Sequence, residues 1–428
     1  MPPTRILFPF AGNTGLGGSH VSALDLIAGL DRDRFAPLIL LHQHAGRVGE
    51  YARDLGLDFE VAQDLPLLRS RNSPRQGDVG PARYALVNLR RMVAEIRRLD
   101  PQIVHTNEGR IHTNWALPTQ LAGRKHLWHH RQDPRAFGVN KLAPLMSDQI
   151  VSVSYFARPA APIRNIDDRF AVVRSPFDFS AAIPDKAAAR QAILTELGLP
   201  ENSLLLGWFG TLTERKKPIR FVEAVAEIAR ALPDRPIHGL LFGGEVETHS
   251  TLNQRCAERA AAAGIADNIH LMGFRSPLPP YMAGVDVSLV TALHEPFGRT
   301  LIESMYLGTP VIATAHGGNP EAITEGETGF LVEPESPAAF TSPLQRLLDT
   351  PGLYDRIARA ARADVTAKYG RETHIRQISA IYDQLSPRPA PDGQSRPGAS
   401  PPPAPGSSAR WTARSRLMTS DCREAPLF

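Results

Sequence analysis

Short apolar runs rich in β-branched residues recur along most of this chain, separated by stretches whose apolar positions fall every three or four residues. The first kind reads as buried strand and the second as helix packed on one face. Strands are expected at Arg5–Phe10, Pro37–Leu41, Ile103–Thr106, His126–His130 and Ile150–Ser154, with helices at Val21–Leu30 and Tyr84–Leu99. After Val173–Asp178 and a polar, Ala-rich stretch, a second series begins. It has strands at Leu204–Phe209, His238–Phe242, Ile269–Met272, Val285–Val290 and Val311–Ala313, and helices at Ile219–Leu232, Pro337–Asp349 and Leu353–Leu385. Strand and helix alternate throughout, which implies parallel, doubly wound sheets. The expected architecture is α/β, with one Rossmann-like domain over residues 1–176 and another over 177–385, joined by a hinge near 174–190.

From Ser386 the pattern stops. The segment PRPAPDGQSRPGASPPPAPGSSAR cannot bury a core, so 386–428 is expected to be disordered. Length and a hydrophobic content of 42% suffice for full cores in the rest. A net charge of +4 argues against a dedicated nucleic-acid binder. Cys256 and Cys422 are far apart and imply no disulfide framework, which fits a reducing cytoplasm. No apolar run approaches the ~18 residues that span a bilayer. Arg90, Arg91, Arg97 and Arg98 recur seven apart on one helix face, with Arg69, Arg71 and Arg75 upstream. An ordinary solvated face is the plainer reading; a patch touching anionic lipid at the inner face of a membrane is the functional one.

The chemistry concentrates between His294 and Ile323. A helix is expected from about Phe297, closed by a left-handed Gly308 with Pro310 beyond it. Glu295 then stands before the helix and Glu303 about a turn and a half into it, their carboxylates roughly 10 Å apart. Between them the N–H groups of Gly298, Arg299 and Thr300 face outward at the positive end of a helix dipole, a ready anion site. A diphosphate with a hydroxyl-rich group at each end, such as a nucleotide-sugar, fits that layout. The competing reading, a dipole-complementing Glu295 and a solvated Glu303, leaves the glycine at the helix start unexplained.

Three other segments bear on the same ligand. Gly12–His20 follows the first strand and fails both as a Walker A loop, with Gly18 where Lys is required, and as a dinucleotide fingerprint, with His20 at the third glycine. It leaves a turn, Gly15, Gly17 and Gly18, that lets backbone approach a ligand or merely shapes the chain. Gly210–Pro218 precedes a helix in the second domain and puts Lys216 or Arg215 within reach of a diphosphate, although cations at a helix start oppose its dipole. His129 and His130 end a strand and alternate sides, so at most one faces the cleft. Asp31-Arg-Asp33 matches a DxD triplet but sits at a helix end, and no metal site is expected.

Glu295-Pro-Phe-Gly-Arg-Thr-Leu-Ile-Glu303, followed by Gly317-Gly-Asn-Pro-Glu321, resembles the E-x7-E segment of the retaining glycosyltransferases of family 4, which have the GT-B fold: two facing Rossmann-like domains and a deep cleft. Gly17-Gly18, Gly210…Lys216, Phe242–Glu245 and Met272–Phe274 match more weakly, in the family's order over residues 5 to 385. The resemblance implies that Glu303 holds the ribose of the donor nucleotide, Glu295 holds the transferred sugar, Lys216 neutralises the departing diphosphate and His130 stands beside the sugar. It implies a nucleoside-diphosphate sugar as donor, a hydroxyl of a glycan or lipid-linked glycan as acceptor, and neither cofactor nor metal. The chain departs from the family at Thr211, where arginine is frequent, leaving Arg215 or Arg299 to assist; at His20, where glutamate is frequent; and at Ser175-Pro176, where Asn-Gly is usual. Two other outcomes remain open to such a chain: an epimerase of the same fold, or a non-catalytic scaffold that binds nucleotide-sugar.

Overall fold

The apolar runs become strands of two separate parallel sheets. The computed structural model describes residues 2–12, 16–69, 77–180, 182–245 and 251–386. The expected tail beyond Ser386, Gly15 of the glycine turn, Arg71, Arg75 and Cys422 lie outside the described residues.

The first sheet holds β1 (Thr4–Ala11), β2 (Phe35–His42), β3 (Glu60–Ala62), β4 (Ile103–Thr106), β5 (Lys125–His130), β6 (Gln149–Ser152) and β7 (Phe170–Val172), in the order β3-β2-β1-β4-β5-β6-β7. The second holds β8 (Leu204–Phe209), β9 (Ile237–Phe242), β10 (Ile269–Gly273), β11 (Val287–Val290), β12 (Val311–Thr314) and β13 (Phe330–Val332), in the order β10-β9-β8-β11-β12-β13. Every pairing within them is parallel. In each sheet the order reverses beside the first strand, which opens a crevice at the carboxyl ends of the strands.

Helices α1 (Gly18–Gly29), α2 (Gly46–Asp54), α3 (Leu89–Leu99) and α4 (Gly109–Leu121) flank the first sheet. Met92, Ile96 and Leu99 of α3 face its core, which leaves Arg90, Arg91, Arg97 and Arg98 on the outer side. Arg98 pairs there with Glu95 and Glu60, as a solvated face does. The second sheet carries α5 (Lys186–Leu197), α6 (Pro218–Ala231), α7 (Leu252–Ala262), α8 (Arg299–Leu307), α9 (Thr341–Asp349) and α10 (Leu353–Tyr369).

Two expectations about the domain junction change. The Ala-rich stretch assigned to the hinge is the helix α5: the Asp185 carboxylate caps it by accepting from the Ala188 N–H at 2.7 Å, and Gly198 ends it in the left-handed region at φ 65°. The final helical span, placed with residues 177–385, breaks at Gly370, which is extended, and α11 (Arg371–Leu385) returns to the first domain. There Ile378, Ile381 and Tyr382 join Ile6, Phe8 and Phe10 in the first core. Burying that apolar face decides where the helix goes, and its period alone carried no such address.

Candidate active site

Two tight turns build the loop between β11 and α8. His294 takes φ 53° and Gly298 φ 74°, so the backbone reverses on either side of Glu295. The Gly317–Gly318 pair grips the same loop from below: the Gly318 N–H donates to the Glu295 carbonyl at 2.8 Å, and a Cβ on Gly317 would lie 2.5 Å from that oxygen. No other residue type fits there without moving Glu295. Gly298 is the N-cap of α8 and Gly308, at φ 82°, closes it as expected. The helix begins at Arg299, two residues later than Phe297, and the N–H groups of Arg299 and Thr300 have no helical acceptor, whereas Leu301 and Ile302 donate to the Gly298 carbonyl.

Glu295 is buried, 8% exposed, and compensated by two cations: Lys216 Nζ lies 2.8 Å and Arg215 Nη1 2.5 Å from its Oε2. Burial alone would raise its carboxyl pKa, but the Lys216 ammonium and Arg215 guanidinium outweigh burial and hold it below the usual range. The Lys216 stem packs over Gly210 at ordinary van der Waals distance from where a Cβ would stand, and the φ of 152° there favours glycine. Glu303 keeps 33% of its side chain open to a cavity of about 470 Å³. Burial of the remainder raises its pKa against the pull of Arg299, 3.6 Å away. The two carboxylates are therefore pushed in opposite directions, as in sites where paired acids have different tasks.

Gly17 and Gly18 open α1 on the opposite wall. The Gly17 N–H donates to His20 Nδ1 at 3.1 Å, so His20 carries its proton on Nε2, which meets Glu108 Oε2 at 3.1 Å. Glu108 Oε1 accepts from the Ala11 N–H at 2.7 Å. His20, where the family frequently has glutamate, thus reaches a carboxylate from a distant strand end, and no local pattern announced Glu108. A Cβ on Gly18 would lie 3.3 Å from Arg299 Cδ, so this turn closes directly against the start of α8.

Neither terminal histidine of β5 is simply open to the cleft. His130 Nε2 donates to the Asp133 carbonyl at 3.0 Å, and burial lowers its pKa to about 4, which keeps it neutral. His129 points to the other side and stacks with His105 and His374. Between the domains runs a cavity of about 890 Å³, lined by Asp133, Arg135, Tyr155 and Phe156 on one side and Arg215, Lys217, His294 and His316 on the other. Glu321 fastens the two walls: its carboxylate accepts from the Tyr155 N–H at 2.9 Å and the Phe156 N–H at 2.8 Å, and Ser154 Oγ donates to the Pro296 carbonyl at 2.5 Å. Asp31 and Asp33 sit on an exposed turn away from these residues, and among the described residues no group of three or more His, Cys, Asp or Glu is placed to hold a metal ion. No helix among them is long and apolar enough to cross a membrane.

Comparison with known proteins places this geometry. Residues 189–364 match the family model of glycosyl transferases group 1. The D-inositol 3-phosphate glycosyltransferase of Corynebacterium urealyticum is 30% identical over 224 residues, 52% of this chain and 52% of that protein. The lipopolysaccharide core biosynthesis mannosyltransferase LpsB of Rhizobium meliloti is 28% identical over 204 residues, 47% of this chain and 56% of that one. The chain thus spans about half the length of the curated relatives it matches. Among solved structures, a glycosyltransferase from Rickettsia africae superposes with a TM-score of 0.74 at 20% identity, over 91% of this chain and 100% of that one. Alr3699/HepE of Anabaena, in complex with UDP and glucose, gives 0.71 at 19%, over 89% and 99%. At such identities the likeness is one of fold. The fold is shared along nearly the whole chain, and residues 189–364 match the group 1 glycosyl transferases within a chain of GT-B fold.

Proposed function

We propose that the protein is a retaining glycosyltransferase that moves a sugar from a nucleoside-diphosphate sugar to a hydroxyl of a glycan or lipid-linked glycan, without an essential metal. The observation that carries this reading is Glu295, buried at the mouth of α8 and neutralised by Lys216 and Arg215. A carboxylate kept ionised among fixed cations can hold sugar hydroxyls while the cations meet a departing diphosphate. The cavity beside Glu303, with Tyr306 and Leu278 on its walls, suits the nucleoside. Alr3699/HepE, of the same fold, holds UDP and glucose.

In the proposed reaction the diphosphate leaves toward Lys216 and the N–H groups of Arg299 and Thr300. The acceptor hydroxyl enters on the same face from the 890 Å³ cavity and gives its proton to the leaving oxygen. Gly210 lies beneath the Lys216 stem, and Gly17 and Gly18 close over the phosphates. His130, neutral and donating to the Asp133 carbonyl, stands behind the Asp133 wall of this cavity. The outer arginines Arg90, Arg91 and Arg97 form the face by which the protein would rest on an anionic membrane.

Slow release of nucleoside diphosphate from a panel of donors tests the reading. It is expected for one donor and should be abolished by Lys216→Ala and by Glu295→Ala. Binding without turnover under any acceptor would point to a scaffold, and isomerised donor without release to an epimerase.

A further inference from the structure

Arg131 is the first residue after β5, where the strand meets the connection between the two domains. Its Nη1 donates to Ser175 Oγ at 2.7 Å and its Nη2 to His129 Nδ1 at 3.4 Å, while Nε is buried without an acceptor. No acidic side chain among the described residues pairs with this guanidinium. Its charged and titratable neighbours are Arg299, His105, His129 and His374. Burial first and Arg299 second push its pKa down to about 9, which still leaves it charged at neutral pH.

The surrounding hydrogen bonds make the imbalance explicit. His129 Nδ1 also meets His105 Nε2 at 3.2 Å, and since Arg131 can only donate, Nδ1 is the acceptor in both. His105 then donates from Nε2 and accepts on Nδ1 from the Tyr382 hydroxyl at 2.6 Å. His129 must carry its proton on Nε2, which is buried and unpartnered. The cluster has a fixed positive charge, two donors without acceptors, Arg131 Nε and His129 Nε2, and one neutral acceptor, His374 Nε2, that neither donor meets. Buried polar groups are normally satisfied and buried charges normally paired, so what is missing is an acceptor that is also an anion.

A second guanidinium stands nearby. Arg299 Nη1 donates to the Pro176 carbonyl at 3.4 Å, and its guanidinium lies 4.3 Å above the Phe177 ring. The two arginines are thus anchored on adjacent residues, Ser175 and Pro176, one reaching from each domain. Arg299 borders Gly18 at the N-terminus of α1, a helix of 12 residues, so a helix dipole of the favourable sign ends beside the Arg299 guanidinium.

We propose that Arg131 and Arg299 together bind a phosphoryl group, Arg131 supplying from the first domain the charge that Thr211 does not offer beside Gly210. The inference rests on the proposed function. The phosphoryl group belongs either to the donor's diphosphate or to a phosphate carried by the acceptor. A guanidinium fork matches phosphate oxygens better than an ammonium does, so Lys in place of Arg131 is not equivalent.

Titration calorimetry of the full chain tests this with UDP, GDP and ADP as probes, together with the monophosphate and nucleoside of whichever diphosphate binds, and inorganic phosphate. Arg131→Gln is expected to weaken diphosphate binding by about tenfold or more and to leave nucleoside binding unchanged; Arg131→Lys should recover part of the loss. If diphosphate affinity is unaltered but inorganic phosphate no longer binds to the diphosphate-saturated protein, the phosphoryl group is the acceptor's and the site stands. Equal affinity of wild type and variants for both probes overturns it. Should Arg131→Gln fail to fold, Arg131→Lys, which keeps the charge, carries the same comparison with an expected loss of several-fold. A wild type that binds no probe removes the proposed function as well; equal binding by wild type and variants removes this inference alone.

Discussion

The two sheets bury different chemistry. The second is lined with aliphatic and aromatic side chains, Leu206, Trp208, Val225, Leu241 and Ile312 among them. The first buries His42, His105, His112, His126, His129 and His130 in and beside its strands, and α11 adds His374. Each ring is held by specific partners. Trp115 Nε1 donates to His42 Nε2 at 2.9 Å while His42 Nδ1 donates to the Leu65 carbonyl at 2.7 Å, and Thr106 Oγ1 sits between His112 Nδ1 and His126 Nε2 at 2.7 and 3.0 Å. The second domain carries its candidate site residues on two short strand-loop-helix segments, Gly210–Lys216 and Glu295–Glu303. The first assembles them from residues far apart in sequence.

Acid should break this symmetry most strongly. Burial lowers His42, His126 and His130 to about 4 and His374 to about 3, against an unfolded value near 6.5. Below pH 6.5 the unfolded chain therefore binds protons that the folded one refuses. Stability is complete above that pH and falls as pH drops toward 4, by up to about 1.4 kcal/mol per pH unit for each histidine. Heat scans between pH 7 and pH 5 should show the first domain losing stability well before the second, and parallel shifts in both would remove the distinction.

Next in size is Lys216→Ala, which removes the cation that the proposed reaction places at the leaving group and should lower turnover about 10²–10³-fold. Circular dichroism should show the fold retained. Gly317→Ala adds a Cβ 2.5 Å from the Glu295 carbonyl at a positive φ, so it should cost about 1–3 kcal/mol in chemical denaturation and displace Glu295. The same change at Gly326, at φ 72° with no atom near its Cβ, should cost only the backbone term. The smallest effect is expected from Glu321→Gln, which keeps one uncharged acceptor for the Tyr155 and Phe156 N–H groups and turns the other oxygen into an NH2 that cannot accept. It should raise the acceptor KM a few-fold and leave the diphosphate Kd unchanged.

The second domain was legible because its chemistry follows local rules. Glycine at a helix start, glycine at its left-handed end and a carboxylate on either side of that start can all be read from spacing. Helix α5 was missed although Asp185, the alanines and Gly198 mark it, because its polar surface suggested a linker. In the first domain Glu108, Arg131 and Glu321's partners at 155 and 156 carry no local mark, because their roles depend on strands that meet only in the folded sheet. The route of α11 was hidden for the same reason: its apolar stripe fits either core, and the extended Gly370 sends it to the first.

Binding of the nucleoside diphosphate to wild type, Lys216→Ala and Glu303→Ala, measured by titration calorimetry beside its monophosphate, tests the central claim most directly. Lys216→Ala should lose affinity for the diphosphate much more than for the monophosphate, and Glu303→Ala should lose affinity for both. If both variants bind both ligands as wild type does, the donor does not lie between Glu295 and Glu303.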